Sequence, residues 1–283
     1  MKISDQITII VNTCDAYQDV LQLFLCALNE YWRECDCRII INTESNRYDF
    51  NDSRIRVFNY CKYSGTDRWG DRIRNVLKSI DSEFVLMLYD DFILENHIDL
   101  KGLYKAIDLL LIENKASAIY LINTALPIEK DDRHLFLRVK EKSDFIVNSA
   151  PAIWRKKDLM SYIGENDNPW AWEVFGSYRA FGRDNIFYTL NPKNLDIFPY
   201  NYKKGGAIYR GKWVKDVVDG KFQKYNLNID PTVRGFINLE ELAPRNFRWK
   251  LDFMLTGFNM VGVKAFYFIF RYLKIIFLSI RIL

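Results

Sequence analysis

The sequence predicts an α/β protein, with a mostly parallel central sheet between flanking helices, followed by a C-terminal amphipathic helical tail. Four short apolar runs have the length of buried strands: residues 7–11, 38–42, 55–58 and 84–89. Helical periodicity lies between the first and second runs, at residues 19–31, and between the third and fourth, at residues 71–80. Strand, helix, strand, strand, helix, strand at this spacing is typical of parallel sheets with covering helices.

The second half of the chain is less regular but continues the alternation. Its predicted elements are a helix at 100–113, a strand at 118–122, an extended segment at 149–154 that enters a helix near Lys157, a helix at 170–181 and a glycine-containing basic loop at 200–213. We find no internal repeat. Residues 1–244 are therefore expected to form one domain, with residues 245–283 as an appendage.

The composition is that of a folded protein without the charge surplus of a nucleic-acid-binding protein. Hydrophobic residues make up 49% and charged residues 27% of the 283 positions, and the formal net charge is only +4. The aromatic content of 16% is high, which suits contacts with carbohydrate or membrane, or an aromatic-rich core.

The cysteines and the N-terminus favour a reducing cytoplasm. All five cysteines lie in the first quarter of the chain, an odd number without the regular spacing of a disulfide scaffold. Cys35 and Cys37 have no matching second pair, which argues against a zinc site. The apolar run near the N-terminus is too short for a signal peptide and leads directly into the first strand.

The apolar run at 84–89 ends on two adjacent aspartates, Asp90 and Asp91. Carboxylates at the carboxyl end of a central strand lie at the sheet edge where α/β proteins bind ligands. Two hard oxygen donors there can hold a divalent cation, which in turn holds a diphosphate. Aspartates after a strand are also common turn and helix-capping residues, so the pair alone does not establish a site.

Four features in order along the chain resemble the GT-A glycosyltransferases, specifically the bacterial enzymes that build capsule, O-antigen and other surface polysaccharides. They are the first strand with its loop, ITIIVNTCDAY, the strand end YDD, the later Pro-Trp-x-Trp-Glu segment, and Arg210-Gly211-Lys212-Trp213. Together they span residues 7–213. The resemblance implies a GT-A fold and the transfer of a sugar from a nucleotide sugar.

The resemblance further implies that Asp91 binds the metal, Mn²⁺ or Mg²⁺, and that Asp90 faces the donor ribose or a metal-bound water. Tyr89 stands where many relatives have the first aspartate of this motif. Metal binding would therefore depend on one direct carboxylate together with the donor diphosphate, and an ion held firmly without donor is not expected.

More donor-binding candidates follow from the same resemblance. In the first loop, an aspartate would accept from uracil or ribose and a tyrosine would stack on the base, although Thr13 or Asp15 could equally cap the next helix. The basic loop would fold over the diphosphate, where cations assist the departing nucleotide, although a solvated loop has the same composition. The donor-side candidates are Thr13, Asp15, Tyr17, Glu44, Asp71, Arg72, Asp90, Arg210 and Lys212.

Glu173 is the candidate catalytic residue. The resemblance places it in the acidic motif at a helix start, where inverting enzymes keep the general base that deprotonates the acceptor hydroxyl. Trp170 and Trp172 flank it and could stack on sugar faces and partly desolvate the carboxylate, raising its pKa. The alternative is a first-turn glutamate that complements the helix dipole.

The tail, residues 245–283, contains seven lysines and arginines and one acid. Four of the cations share one helical stripe of about 100°: Lys264, Arg271, Lys274 and Arg281. No uninterrupted apolar run reaches the roughly 20 residues needed to span a bilayer. The pattern predicts a helix in the headgroup region of an anionic membrane, with a helix packed on the domain as the alternative. Truncation near Arg245 would then release the protein from membranes and spare transfer to a soluble acceptor.

These features predict a cytoplasmic, metal-dependent glycosyltransferase, peripheral on the inner face of the cell membrane. It would transfer a sugar from a UDP-linked donor to an oligosaccharide or a lipid-diphosphate-linked glycan. Inversion is favoured because a placed base permits direct displacement, although a retaining enzyme would share most of these motifs. A sugar nucleotidyltransferase would need a glycine-rich loop, which NTCDAY lacks. A membrane-bound glycan-binding or assembly factor without activity is the third alternative, and Tyr89 favours it.

Overall fold

A central mixed sheet organises the part of the chain that the structure describes. The structure is a computed structural model in which residues 2–44, 50–59, 68–130, 133–237 and 246–271 are described. Within these residues the sheet has eight strands: β1 Ile7–Asn12, β2 Ile39–Thr43, β3 Ile55–Asn59, β4 Phe84–Tyr89, β5 Ala116–Tyr120, β6 Phe136–Arg138, β7 Ala152–Arg155 and β8 Ile186–Leu190. Their order across the sheet is β3-β2-β1-β4-β7-β5-β8-β6.

Six of these strands run in one direction and two run against them. β3, β2, β1 and β4 pair in parallel, and β5 pairs in parallel with β8. β7 lies antiparallel between β4 and β5, and β6 lies antiparallel on β8 at the sheet edge. The predicted mostly parallel sheet is therefore confirmed, and β6 and β8 were not predicted.

Helices lie where the sequence predicts them, with boundaries shifted by one or two residues, and two short helices, Lys215–Val218 and Lys221–Lys224, were not predicted. They are α1 Gln18–Tyr31, α2 Trp69–Ser79, α3 Leu100–Ile112, α4 Lys156–Tyr162, α5 Pro169–Ala171, α6 Ser177–Ala180, α7 Lys215–Val218, α8 Lys221–Lys224 and α9 Phe247–Val261. A π-helical turn, Trp172–Gly176, joins α5 to α6. The basic loop contains a short hairpin of β9 Ile208–Tyr209 and β10 Lys212–Trp213.

Two apolar cores lie on opposite faces of the sheet because side chains alternate along each strand. Ile9 and Val11 of β1 belong to the core that α1 and α3 cover. Ile10 belongs to the other core, which α2, α4 and the π-helical turn cover. With both faces covered, the ligand-accessible part of the sheet is its edge, where the parallel strands end.

The tail packs on the π-helical turn. Phe253 of α9 and Phe268 lie 5.2 Å and 5.8 Å from the Phe175 ring, centroid to centroid. A Cβ on Gly257 would lie 2.2 Å from that ring, so this position requires glycine. Ala265 is fully buried. The alternative of a helix packed on the domain therefore describes this part of the tail.

Two cations of the predicted stripe contact the domain. Lys264 donates a hydrogen bond of 3.3 Å to the Tyr178 carbonyl, and Arg271 forms an ion pair with Asp144. Lys274 and Arg281 lie outside the described residues. Arg271 thus has an acidic partner outside the tail.

The segment Arg248–Arg271 is long and apolar enough to cross a membrane, judged by length and composition. It has 24 residues, and its most apolar 18-residue window has a mean hydropathy of 1.4 and is 17% buried. Charged residues interrupt the apolar run, so the criterion of an uninterrupted run misses this segment, whereas the average over a window tolerates them. Its exposed apolar side chains include Leu251, Leu255, Val263, Phe266 and Phe270.

Candidate active site

A cleft of about 1760 Å³ opens where the parallel strands end. Thr13 follows β1, Glu44 follows β2, the Asp90-Asp91 pair follows β4, and Asn123 lies beyond β5. Neighbouring parallel strands present their carboxyl ends to the same edge, so loops distant in sequence meet there. The cleft brings together most of the predicted site residues.

Asp90 lies at the floor of the cleft and is buried. The Thr13 hydroxyl donates to its carboxylate over 2.5 Å, which links the loop after β1 to the end of β4. Burial, and then the neighbouring Asp91 charge, raise the pKa of Asp90 well above its ordinary value. Thr13 therefore binds Asp90 rather than acting as a helix cap.

Asp91 is half-buried beside the glycine-containing loop. A Cβ on Gly206 would lie 2.6 Å from Asp91 Oδ2, and Gly206 has φ +89°, so only glycine permits this approach. The Ala207 amide also donates to the Asp91 carbonyl, over 2.9 Å. Burial raises the pKa of Asp91 to about 7.

The donor atoms at Asp91 fit a cation that a ligand helps to hold. No described lysine or arginine forms an ion pair with the Asp91 carboxylate. Because burial disfavours its ionised form, a cation placed beside it would stabilise that form. Among the described residues, no group of three or more His, Cys, Asp or Glu could hold a metal ion by itself. A divalent ion at Asp91 would therefore need further oxygen ligands, such as those of a diphosphate.

Glu44 and Arg72 form an ion pair in the wall of the cleft. Glu44 also accepts a 2.6 Å hydrogen bond from the Asp15 amide, and Thr43 donates to the Asp15 carboxylate over 2.8 Å. Asp15 is thus engaged behind the wall, and neither it nor Asp71 lines the cleft. Of these candidates, Glu44 and Arg72 face the ligand space.

Tyr17 lines the cleft and is backed by an arginine that the sequence did not single out. The Arg234 guanidinium lies 4.5 Å from the Tyr17 ring centroid. Arg234 is held by Asp19, with Nη2 2.5 Å from Oδ1. More than 200 residues separate the ring from its cation, so no local pattern could have shown this contact. It fixes Tyr17 as one wall of the cleft.

The basic loop places one of its two candidate cations in the cleft. Arg210 is exposed, lines the cleft and has φ +50°. Lys212 lies on β10 and does not line the cleft, because the hairpin turns it outwards. Arg68, which precedes α2, also lines the cleft and donates to Asn166. The sequence analysis missed Arg68, although its position before a helix at the sheet edge could have indicated it.

Glu173 lies in the π-helical turn and faces the cleft. Its Oε1 accepts a 2.8 Å hydrogen bond from the Ser149 amide, which fixes the carboxylate from one side. Burial raises its pKa above the ordinary value for glutamate. π-turns within helices are frequent at functional sites, because the extra residue redirects a side chain.

The two tryptophans beside Glu173 differ in their environments. Trp172 is fully buried, and its indole N–H donates to the Tyr162 carbonyl over 3.1 Å. The expectation that Trp172 stacks on a sugar is therefore wrong, because it belongs to the core. Trp170 is 74% exposed and lines the cleft.

Tyr89 connects the two acidic ends of the site. Burial, and then the charges of Glu173 and Asp91, raise the pKa of Tyr89 far above its ordinary value. Tyr89, Asp91 and Glu173 all line the cleft.

No family model and no curated protein matches the chain. The chain is similar to solved structures of GT-A glycosyltransferases. S. aureus TarS 1–349 matches at 14% identity over 66% of this chain, with a TM-score of 0.44, and the chain spans 58% of that structure's length. The same protein in complex with UDP-GlcNAc matches at 12% identity over 81% of this chain and 69% of its own, with a TM-score of 0.41.

A third solved structure shows the same level of similarity. It is glucosyl-3-phosphoglycerate synthase from Mycobacterium tuberculosis in complex with Mn²⁺, UDP-glucose and phosphoglyceric acid. The match has 11% identity over 65% of this chain and 69% of that chain, with a TM-score of 0.40. Similarities at this level carry no argument about activity, so a functional assignment has to come from the cleft itself.

Proposed function

We propose that this protein is a metal-dependent GT-A glycosyltransferase. The observation that carries the proposal is the cleft, in which Asp91, without a described cationic partner, and Glu173, held by the Ser149 amide, face a common space. One carboxylate suits a metal-bound diphosphate and the other suits a base for an incoming hydroxyl. The sugar of a nucleotide-sugar donor would lie between them.

The donor is proposed to be UDP-linked. Tyr17 would stack on the base, and the Thr13–Asp90 pair would face the ribose. Arg210 and Arg68 would balance the charge of the diphosphate, which grows as the nucleotide departs. A Mn²⁺ or Mg²⁺ ion held by Asp91 and the diphosphate would supply Lewis-acid stabilisation of the leaving group.

Glu173 would act as the general base for an inverting transfer. The acceptor hydroxyl gives its proton to the Glu173 carboxylate, while its own oxygen forms the new bond to the anomeric carbon. The bond from that carbon to the diphosphate oxygen breaks, and UDP departs with the electron pair. Its raised pKa makes Glu173 a stronger base than an exposed glutamate, and the Ser149 amide holds it in place.

The acceptor is proposed to be a lipid-diphosphate-linked glycan in capsule or O-antigen synthesis. The enzyme would work in the cytoplasm at the inner face of the cell membrane. The support is the tail, whose exposed Leu255, Val263 and Phe270 offer apolar area to the headgroup region. An acceptor anchored in the same membrane would then reach the cleft by diffusion in two dimensions.

Thermal-shift measurements test the proposal directly. A ligand that binds only the folded state raises the melting temperature, so UDP-sugars with Mn²⁺ or Mg²⁺ should stabilise the protein more than either component alone. ADP- and GDP-sugars serve as controls for the base. If no nucleotide sugar raises the melting temperature with or without metal, the proposed function is wrong.

A further inference from the structure

Trp170 is an exposed aromatic side chain in the wall of the cleft. Its exposed fraction is 74%, and none of the described aromatic rings contacts it. It lies three residues before Glu173, and both side chains line the cleft. A large apolar ring that stays exposed in the wall of a cleft is available for contact with a ligand.

Phe145 is a second aromatic side chain in the same wall, and its backbone is strained. It has φ +57°, a region that bulky residues rarely adopt, yet its ring is 48% exposed and lines the cleft. The side-chain amide of Asn148 holds this turn by donating from Nδ2 to the Phe145 carbonyl over 2.9 Å. Backbone strain that does not serve to bury the side chain is typical of ligand-binding positions.

The tail supplies polar groups to the same wall. Thr256 and Asn259 of α9 line the cleft. The Thr256 hydroxyl donates to the Asp252 carbonyl over 2.9 Å and can still accept, and the exposed Asn259 side chain makes no hydrogen bond to any described residue. Arg271 pairs with Asp144, the residue before Phe145, and also donates to the Lys142 carbonyl. The tail therefore both lines this part of the cleft and holds the loop that carries Phe145.

We propose that Trp170, Phe145, Thr256 and Asn259 form the subsite for the acceptor sugar, built jointly by the domain and the tail. A pyranose ring has apolar C–H faces and a rim of hydroxyl groups. An exposed indole and a phenyl ring suit those faces, and the hydroxyl and amide of α9 suit the rim. The inference rests on the proposed glycosyltransferase function and adds that the tail takes part in acceptor binding.

Saturation-transfer NMR with the full chain tests the subsite. The probes are methyl α- and β-glycosides of glucose, galactose, mannose and N-acetylglucosamine, in the presence of UDP and Mg²⁺. We expect Trp170→Ala to weaken glycoside binding on the order of tenfold, as one lost stacking contact predicts, and to leave UDP binding unchanged. Trp170→Phe should retain most of the binding. Trp249→Ala, which removes an exposed tryptophan outside the cleft wall, is the matched control.

Phe145→Gly separates binding from folding. Glycine suits φ +57°, so the variant should keep the wild-type melting temperature or exceed it while it loses glycoside binding. Equal glycoside binding by wild type and Trp170→Ala would overturn the subsite, and so would the absence of glycoside binding by a wild-type protein that binds UDP. Failure to bind UDP at all would instead contradict the proposed function.

Discussion

The Asp91 carboxylate is expected to destabilise the free protein and to be needed when donor binds. Its pKa of about 7, against an ordinary 3.8, means that the folded state holds the proton more tightly than the unfolded chain. Stability contributed by this group is therefore present at low pH and is lost as the pH rises from 3.8 through about 7. At pH 8 the Asp91 carboxylate is ionised, so its burial lowers the free energy of unfolding by its full amount.

Asp91→Asn should accordingly melt at a higher temperature than wild type at pH 8, with a smaller difference at pH 5. For a protein of this size, about 1 kcal/mol corresponds to roughly 2–4 °C. The same variant should lose metal-dependent stabilisation by UDP-sugars and metal-dependent transfer. Asp108→Asn, an exposed aspartate on α3, is the control. A variant that keeps full metal-dependent transfer would remove Asp91 from the assignment.

Glu173→Gln should bind donor like wild type and lose turnover on the order of 10²–10⁴-fold, as removal of a general base predicts. The wild-type rate should fall with decreasing pH below the pKa of Glu173, which burial raises above 4.5, and the residual rate of the variant should lack this limb. Kinetics across pH, with Glu165→Gln as an exposed control, would check both. If donor affinity falls as much as turnover, Glu173 shapes the cleft and another group is the base.

At the residue scale, the sequence identified the acidic residues and named two tryptophans as sugar contacts, of which one lines the cleft. Asp90, Asp91 and Glu173 follow from motif positions, and all three line the cleft. Trp170 lines the cleft as well, whereas Trp172 is fully buried in the core. The Arg234 contact with Tyr17 could not be predicted, because it joins elements at opposite ends of the chain.

At the element scale, the loop that carries Phe145 is held by the tail through the Arg271–Asp144 ion pair. The pair is partly exposed, with 32% and 43% of the two side chains accessible, so its loss should cost less than about 1 kcal/mol of stability. Its effect on binding should be larger, because it positions the ring beside the acceptor space.

Arg271→Gln and Asp144→Asn should each weaken binding of the methyl glycosides several-fold while the affinity for UDP stays unchanged. The double variant should be no worse than Arg271→Gln alone, since that variant has already lost the ion pair. Lys115→Gln, which breaks the exposed Lys115–Asp184 pair outside the cleft wall, is the control. Additive losses, or equal losses for UDP, would show that the pair does not act through the loop.

The elements that the sequence predicted are those with strong local patterns. β1, β2 and β4 are continuous apolar runs, and α1 has a clear period. β6 has only three residues and gains its strand character from pairing with β8, which a local pattern cannot show. The antiparallel place of β7 between β4 and β5 is likewise a property of the assembled sheet.

At the scale of the whole molecule, the tail and the domain form one packed unit. Phe253 and Phe268 cover Phe175, and Arg179 donates to the Met260 carbonyl over 2.7 Å. Truncation near Arg245 would expose these groups, so the expectation that it spares transfer to a soluble acceptor no longer holds. The sequence showed an amphipathic tail, but which face packs inwards depends on side chains contributed by α6 and the π-turn.

Membrane association should therefore be tested by substitutions on the outer face of the tail. Leu255, Val263 and Phe270 are 54%, 79% and 67% exposed, so serine at these three positions should leave the core packing and the melting temperature nearly unchanged. With neutral vesicles, loss of their apolar area should move the protein from the vesicle pellet to the supernatant. Leu195→Ser with Val233→Ser, at exposed positions elsewhere, should not.

Co-sedimentation with anionic and neutral vesicles across a salt series separates the two forces in that binding. The basic residues of the tail contribute about 1 kcal/mol each near an anionic surface, and this part weakens as salt rises, whereas the apolar part persists. Lys264 donates to the Tyr178 carbonyl, but its side chain is exposed, so its charge can act on an anionic surface. Lys264→Gln should therefore remove some of the salt-sensitive part of the binding. The serine variant should retain salt-sensitive binding to anionic vesicles and lose binding to neutral ones. If wild type stays in the supernatant with both vesicle types at low salt, the outer face of the tail does not bind membranes, and the acceptor reaches the cleft from solution.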